Sequence, residues 1–357
     1  MYYNKINKRK YFIFNFVSEI FHPNHLIYFI IIFFIASSNL FSQNLKRKTF
    51  EHFTADHGMS QYIVLCMIQD RTGYLWFGTF RGVDRYDGKG FTSYKPIPGN
   101  PNSISSGSVQ ALCEDKDGNI WIGTSLGLDK LDPSTGNFTH YLIQPAVEGV
   151  DLANYILSIV EDEDGMLWVG TADGLNKFDK TTGEFTTFKH DKTDAASISD
   201  NYVHALLISK DGSLWVGTGN GLSKLDRKTG KFSHYWQDPK RQNGSVRIEW
   251  YNTMEYSNPY QINFIYEDNS GMLWLCTNGE GLIEFNPQGG TYTTYKHNPQ
   301  NPQGLSSNDI KGISQDQEGN YWIATKFNGL NTFDKQANKF THYYEDVFDP
   351  GSLSVNM

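Results

Sequence analysis

The sequence predicts an all-β fold, a β-propeller of four-stranded blades, and three observations predict it. A sixteen-residue block recurs almost unchanged as "DGNIWIGTSLGLDKLD" at 117–132, "DGMLWVGTADGLNKFD" at 164–179 and "DGSLWVGTGNGLSKLD" at 211–226. Trp76, Trp121, Trp168, Trp215, Trp274 and Trp322 mark six copies of it, spaced by 45, 47, 47, 59 and 48 residues, a period that belongs to a propeller blade. No stretch of any length carries helical periodicity, whereas every copy breaks into short β-rich runs between polar turns.

Each copy begins with an apolar run such as "VQALCED" or "VHALLIS", read as the innermost strand of a blade. A polar turn follows, with glycine three residues before the tryptophan: Gly73, Gly118, Gly165, Gly212, Gly271 and Gly319. Glycine there supplies the positive φ that a tight hairpin needs. The second strand is the W-[VILF]-[GCA]-T segment, and a turn ending at Gly82, Gly127, Gly174, Gly221, Gly281 or Gly329 delivers the third, "LDKLD" and its relatives. After a turn such as "PSTGN", an outer strand of the form F-x-x-[YF] completes the copy. Complete blades are thus expected at about 62–95, 107–142, 154–189, 201–236, 260–296 and 308–344.

A bulky indole beside a small Gly, Ala or Cys suits sheets that must interdigitate, so the tryptophans are assigned to the core. The recurring glycines are not phosphate cradles, since no helix N-terminus follows them. Asp115, Asp162, Asp268 and Asp316 recur at the hairpin, where a carboxylate satisfies turn amides. His140, His234 and His342 recur in F-[TS]-H-Y and are read as exposed strand surface. The three cysteines, Cys66, Cys113 and Cys276, fall in separate copies and are read as small buried side chains.

Composition agrees with a folded, sheet-rich protein: 15% aromatic, 33 glycines, eight tryptophans and 20% charged residues. Residues 1–42 differ. Lys5, Lys8, Arg9 and Lys10 precede an apolar run at 26–36 and then "SSNLFSQN", the order of a secretory signal cleaved near Ser42. The run is short of the roughly 20 residues a spanning helix needs, and an uncleaved anchor using "YFIFNFV" is the alternative. Cleavage removes four positive charges and Glu19, taking the formal charge from −8 to −11. An acidic chain of this kind does not favour nucleic acid or an anionic membrane surface.

The residues after tryptophan are not the Asp of a WD repeat, and Arg71, Lys116, Glu163, Lys210, Asn269 and Gln317 stand where a sialidase Asp box needs Asp. Instead "ILSIVEDEDGMLWVGTADGLNKFD", the linkers "SIS" and "SLS", and the opening "FTADHGMSQ" resemble the two-component regulator propeller family, over about 300 residues. The resemblance implies the periplasmic sensor region of a hybrid sensor kinase, many of which respond to oligosaccharides. It implies no kinase activity in this chain, which shows no phosphoacceptor or ATP-lid segment.

The expected function is therefore a noncatalytic, periplasmic or secreted ligand-binding module, with a propeller lyase or hydrolase and a protein-interaction scaffold as rival classes. Propeller ligands bind on loops at one face, and those loops are where the copies differ. The longest, 236–260, holds Trp236, Trp250, Tyr251, Tyr256 and Tyr260 with Arg241 and Arg247. Aromatic rings and guanidinium groups suit sugar faces and hydroxyls, although the same insertion could pack on itself as a small core. Arg81, Asn278 and Glu280, in turns between second and third strands, are expected to help. No cofactor or metal is expected. An oligosaccharide or other small ligand is the expected partner, a homodimer through the sensor region is compatible, and a membrane is met only through a downstream helix or an uncleaved leader.

One count does not match the tryptophans. Residues 50–53, "FEHF", read as a seventh outer strand with no inner strands before it, and "DPGSLSVNM" repeats the linker that elsewhere leads into an innermost strand. A seven-bladed plan is expected, with six full blades, a seventh represented by 50–53, and residues 350–357 opening it.

Overall fold

The computed structural model describes residues 48–146, 151–237 and 258–354. The chain divides into two units, Met1–Phe50 and Glu51–Met357, and the propeller lies in the second. The leader expected over 1–42 lies outside the described residues, as do Arg241, Arg247, Trp250, Tyr251 and Tyr256.

Twenty-four described strands form six four-stranded antiparallel sheets, arranged as the blades of a β-propeller, and the described helix is one 3-10 turn, Ala55–His57. The innermost strands are Val64–Gln69, Val109–Glu114, Ile156–Glu161, Val203–Ile208, Ile262–Glu267 and Ile310–Gln315. The outermost are Phe91–Tyr94, Asn137–Tyr141, Glu184–Phe188, Lys231–Trp236, Thr291–Tyr295 and Lys339–Tyr343.

The repeated residues fix the hairpins. Asp115 accepts backbone N–H bonds from Asp117 and Asn119, and its other oxygen accepts the Trp121 indole N–H at 2.7 Å. Asp70, Asp162, Asp268 and Asp316 hold Trp76, Trp168, Trp274 and Trp322 in the same way. The carboxylate thus caps the turn and also pins the ring that the next blade packs on. Gly118, whose φ is 85°, closes this turn. Thr124, at the end of the second strand, donates its hydroxyl to the Gly127 carbonyl at 2.9 Å and tightens the following turn.

Blades join through five apolar cores. Between the first and second, Trp76 meets Val109, Ile120, Ile122 and Leu131, all fully buried, and the later junctions repeat the pattern through Trp121, Trp168, Trp215 and Trp274. Close approach requires the small residue of W-x-[GCA]-T: a Cβ on Gly170 would lie 2.6 Å from Val203 Cγ1. The sixth blade and the first show no such core among the described residues. Their facing side chains stay open, with Val64 39% and Met67 62% exposed where Val109 and Leu112 are at 0% and 7%.

Two expectations change. Residues 50–53, read as an outer strand, belong to no described ladder. His140, His234 and His342 are not free strand surface: Nε2 of each meets a carbonyl of the linker that leads into its own blade, Pro101 at 2.9 Å, Ala195 at 3.2 Å and Gly304 at 2.7 Å. The linker folds back across the outer strand, a tertiary contact that strand periodicity does not reveal. At the second serine of the S-x-S motif the linker meets the buried third strand: the Ser105 backbone N–H donates to Asp129, and the Ser199 and Ser306 hydroxyls accept from Ser223 and Asn331.

The thiols are free, and burial pushes those of Cys66 and Cys113 up to about 12, so they are protonated and unreactive.

Candidate functional site

The outer-to-inner connections and the second-to-third-strand turns share one face, where backbone bonds join them. Gly82 N–H reaches the Gly107 carbonyl, Gly174 that of Asn201, and Gly281 that of Asn308, each linking one blade's turn to the connection entering the next blade. Ser125, Ala172, Gly219, Asn278 and Lys326 bond back within their own blades to Ser108, Tyr155, Tyr202, Gln261 and Asp309. Loops held from both sides carry their side chains on a rigid frame.

A cleft of about 440 Å³ opens on this frame between the fourth and fifth blades, lined by Trp236, Gln237, Tyr260, Glu280, Tyr292, Thr294 and Lys296. Trp236 ends an outer strand and is only 7% exposed, its ring tilted against Tyr260 at 4.9 Å, so it forms the cleft's back wall and presents no free face. Tyr292 is different. At 55% exposed it occupies the outer-strand position where Phe232 and Phe340 are buried at 6% and 5%, leaving an aromatic face open. Glu280 and Lys296 pair at 2.7 Å and supply both an acceptor and a donor beside that ring.

The structure therefore brings Trp236 and Glu280 together, and Asn278 sits in the same turn as Glu280. Asn278 Oδ1 points to Lys311 Nζ at 3.4 Å, toward the inner strands. Arg81 lies in the corresponding turn of the first blade, exposed and no part of this cleft. Tyr260, an aromatic of the long connection noted from sequence, also lines the cleft, whereas Tyr292 and Lys296 belong to it but not to the residues singled out from sequence. Tyr292 carried a usable signal, a Tyr in place of the Phe found in most copies.

Sequence periodicity also misses a set of residues turned inward. Each innermost strand carries a bulge that leaves its second residue unpaired, at Leu65, Gln110, Leu157, His204, Asn263 and Lys311. A bulge re-aims the side chain it carries. Burial pushes the His204 imidazole down to about 4, with Lys311 adding to the effect, and its Nδ1 has no partner. Neutral His204 therefore stands with Tyr202, whose ring meets it at 5.6 Å, among polar residues at the inner end of the loop face. No cluster of three or more His, Cys, Asp or Glu able to hold a metal occurs among the described residues.

A family profile described as "two component regulator propeller" matches residues 58–81, 103–125, 152–173, 197–220 and 304–327. A stretch of 79 residues is 35% identical to histidine kinase P4 of Formosa agariphila, covering 22% of this chain and 6% of that protein. Among solved structures, the extracellular domain of a putative hybrid two-component system from B. thetaiotaomicron is similar over 87% of this chain and 38% of its own, with 26% identity and a TM-score of 0.67. Virginiamycin B lyase from Staphylococcus aureus shares the fold, at 14% identity over 79% of this chain and 84% of its own, with a TM-score of 0.56. The chain thus spans less than half of the first two.

Proposed function

We propose, from a chain whose copies are two-component regulator propeller repeats, that it serves as the extracytoplasmic ligand-binding sensor module of a signalling protein and recognises an oligosaccharide. The observation that carries this reading is the cleft between the fourth and fifth blades. An exposed Tyr292 ring offers a stacking face for the apolar side of a pyranose, and the Glu280–Lys296 pair offers an acceptor and a donor to its hydroxyls. Trp236 and Tyr260, packed on each other, keep the wall rigid, which lowers the ordering cost of binding.

The likeness to an extracellular domain of a hybrid two-component system supports the sensing role and an extracytoplasmic location. The lyase likeness concerns fold alone.

The test is calorimetric titration of the purified protein with a panel of neutral and acidic oligosaccharides. At least one should bind, and Tyr292→Ala should weaken it by roughly 1–3 kcal/mol, the range expected of an aromatic anchor. Conversion of a panel member to products would move the protein to the enzyme class.

A further inference from the structure

Each blade carries a recurring pair of residues on the loop face. The residue before the last glycine of the second-to-third-strand turn lies beside the first residue after the outer strand, and in five blades the two match in kind. Asp173 pairs with Lys189 at 2.5 Å in the third blade and Glu280 with Lys296 at 2.7 Å in the fifth. The second blade sets Leu126 with Leu142, the fourth Asn220 with Gln237, and the sixth Asn328 with Tyr344. The turn glycine brings them close: a Cβ on Gly127 would lie 3.0 Å from Leu142 Cδ2, one on Gly221 3.0 Å from Gln237 Cα, and one on Gly329 3.2 Å from Tyr344 Cδ1.

The first blade breaks this pattern. Its two residues are Arg81 and Lys95, both exposed, and Lys95 Cα lies 3.3 Å from where a Cβ on Gly82 would stand. Among the described residues neither side chain has an ion-pair or hydrogen-bond partner. Two like charges thus stand side by side, uncompensated, in a chain whose formal charge is −8.

The connection entering the next blade makes the same exception. Asn154, Asn201 and Asn308 hold one place in the connections entering the third, fourth and sixth blades. There each Oδ1 accepts the backbone N–H of the second residue after the preceding outer strand: Ile143 at 2.8 Å, His190 at 2.7 Å and His297 at 2.7 Å. Asn201 also donates to the Asp173 carboxylate at 3.4 Å. In the connection entering the second blade that place is Gly107, whose carbonyl holds Gly82 N–H as Asn201 and Asn308 hold Gly174 and Gly281. Pro96 stands where the accepted N–H would be. A side chain at 107 does not fit, since its Cβ would lie 2.9 Å from the Phe80 carbonyl oxygen. Ser106, one residue earlier, has its hydroxyl engaged by Ser125 Oγ at 2.9 Å and by Ser108 N–H. Carboxylate, amide and N–H are therefore replaced together, by a cation, a glycine and a proline, and the connection offers the two cations no side-chain acceptor.

We propose that Arg81 and Lys95 bind one oxyanion group of a small ligand, a carboxylate, sulfate or phosphate, at a site on the first blade distinct from the cleft between the fourth and fifth. A guanidinium presents two parallel N–H donors to two oxygens and an ammonium a third, and such charged hydrogen bonds are stronger than neutral ones. The turn beneath is fixed, because Gly82 N–H is held by Gly107 and Arg81 N–H donates to Thr79 Oγ1 at 3.0 Å. Only the two side chains have to be ordered on binding. The anion also relieves the repulsion between them.

The test follows the backbone amides of Gly82 and Gly107 in the full chain by NMR, at constant ionic strength, while sulfate, D-galacturonate or neutral D-galactose is added. Both anions should shift these amides saturably and compete with each other, galactose should leave them in place, and the Gly281 amide beside the other cleft should not move. Arg81→Gln should weaken both anions about tenfold or more, through loss of charged hydrogen bonds. Lys189→Gln, which removes a lysine already paired with an acid, should leave their affinity unchanged. Lys95→Glu gives the first blade an ion pair like that of the third, so it should abolish binding while raising the melting temperature by about 1–3 °C. That variant separates a lost site from a lost fold. Shifts that grow without saturation, or equal anion affinity in Arg81→Gln and Lys189→Gln, would overturn the proposal. So would a Lys95→Glu variant that binds sulfate as the unmodified chain does.

Discussion

Asp268 shows how one repeated residue carries several loads. It accepts bonds from Ser270, Met272, the Trp274 indole and the Tyr321 hydroxyl of the next blade. Burial alone would raise its pKa, but these donors outweigh it and hold the carboxyl down to about 2. A depressed carboxyl contributes stability above its unfolded value near 4 and loses it as pH falls toward 2. Asp268→Asn is expected to cost about 1–2 kcal/mol at pH 7 and to flatten the loss of stability between pH 4 and 2 in urea titrations. His140 has the opposite sign. Burial opposes its protonation, yet the Asp129 carboxylate at 2.7 Å and the Pro101 carbonyl raise it above 6.5, so its contribution is complete in mild acid and is lost as pH rises through that raised value. His234 has Ser223 in place of the carboxylate, and burial lowers it. Proton NMR should therefore find His140 titrating above His234. The role of the aspartates in the turns was legible in the sequence because turn chemistry is local. The histidine clamps were not, because their partners lie 38 or 39 residues away.

At the scale of the element, the blade and its strands follow from period, glycine punctuation and the W-x-[GCA]-T pattern, and the structure adds what that pattern is for. The small residue lets the next blade's innermost strand approach. Gly170→Ala should cost about 1–3 kcal/mol, because the added methyl meets both Val203 Cγ1 and the Val203 carbonyl oxygen, at 2.6 and 2.7 Å. Ala324→Val, the corresponding change in the sixth blade, faces no such strand among the described residues and should cost less than about 0.5 kcal/mol. Urea midpoints of the two variants decide the point, and equal losses would mean the sixth blade is as tightly covered as the third. The bulges that turn His204 and Lys311 inward escaped the sequence reading, since a one-residue slip in register leaves the alternation of apolar residues nearly intact.

At the scale of the molecule, six blades around an axis and one face of loops pinned from both sides give a rigid platform whose variable positions are free to define a ligand. The site was only partly legible. Trp236 and Glu280 drew notice because one borders the longest connection and the other lies in a second-to-third-strand turn that varies between copies, whereas Tyr292 and Lys296 sit on and just after an ordinary outer strand. Arg81 shares the face but not the cleft. The central claim is that this platform binds an oligosaccharide between its fourth and fifth blades. Its most direct measurement is calorimetric titration of the protein and its Tyr292→Ala variant with the same oligosaccharide panel. The account predicts saturable binding of at least one member, weakened about fivefold or more by the substitution with the melting temperature unchanged. Equal affinity in the two proteins, or no binding by any member, would contradict it.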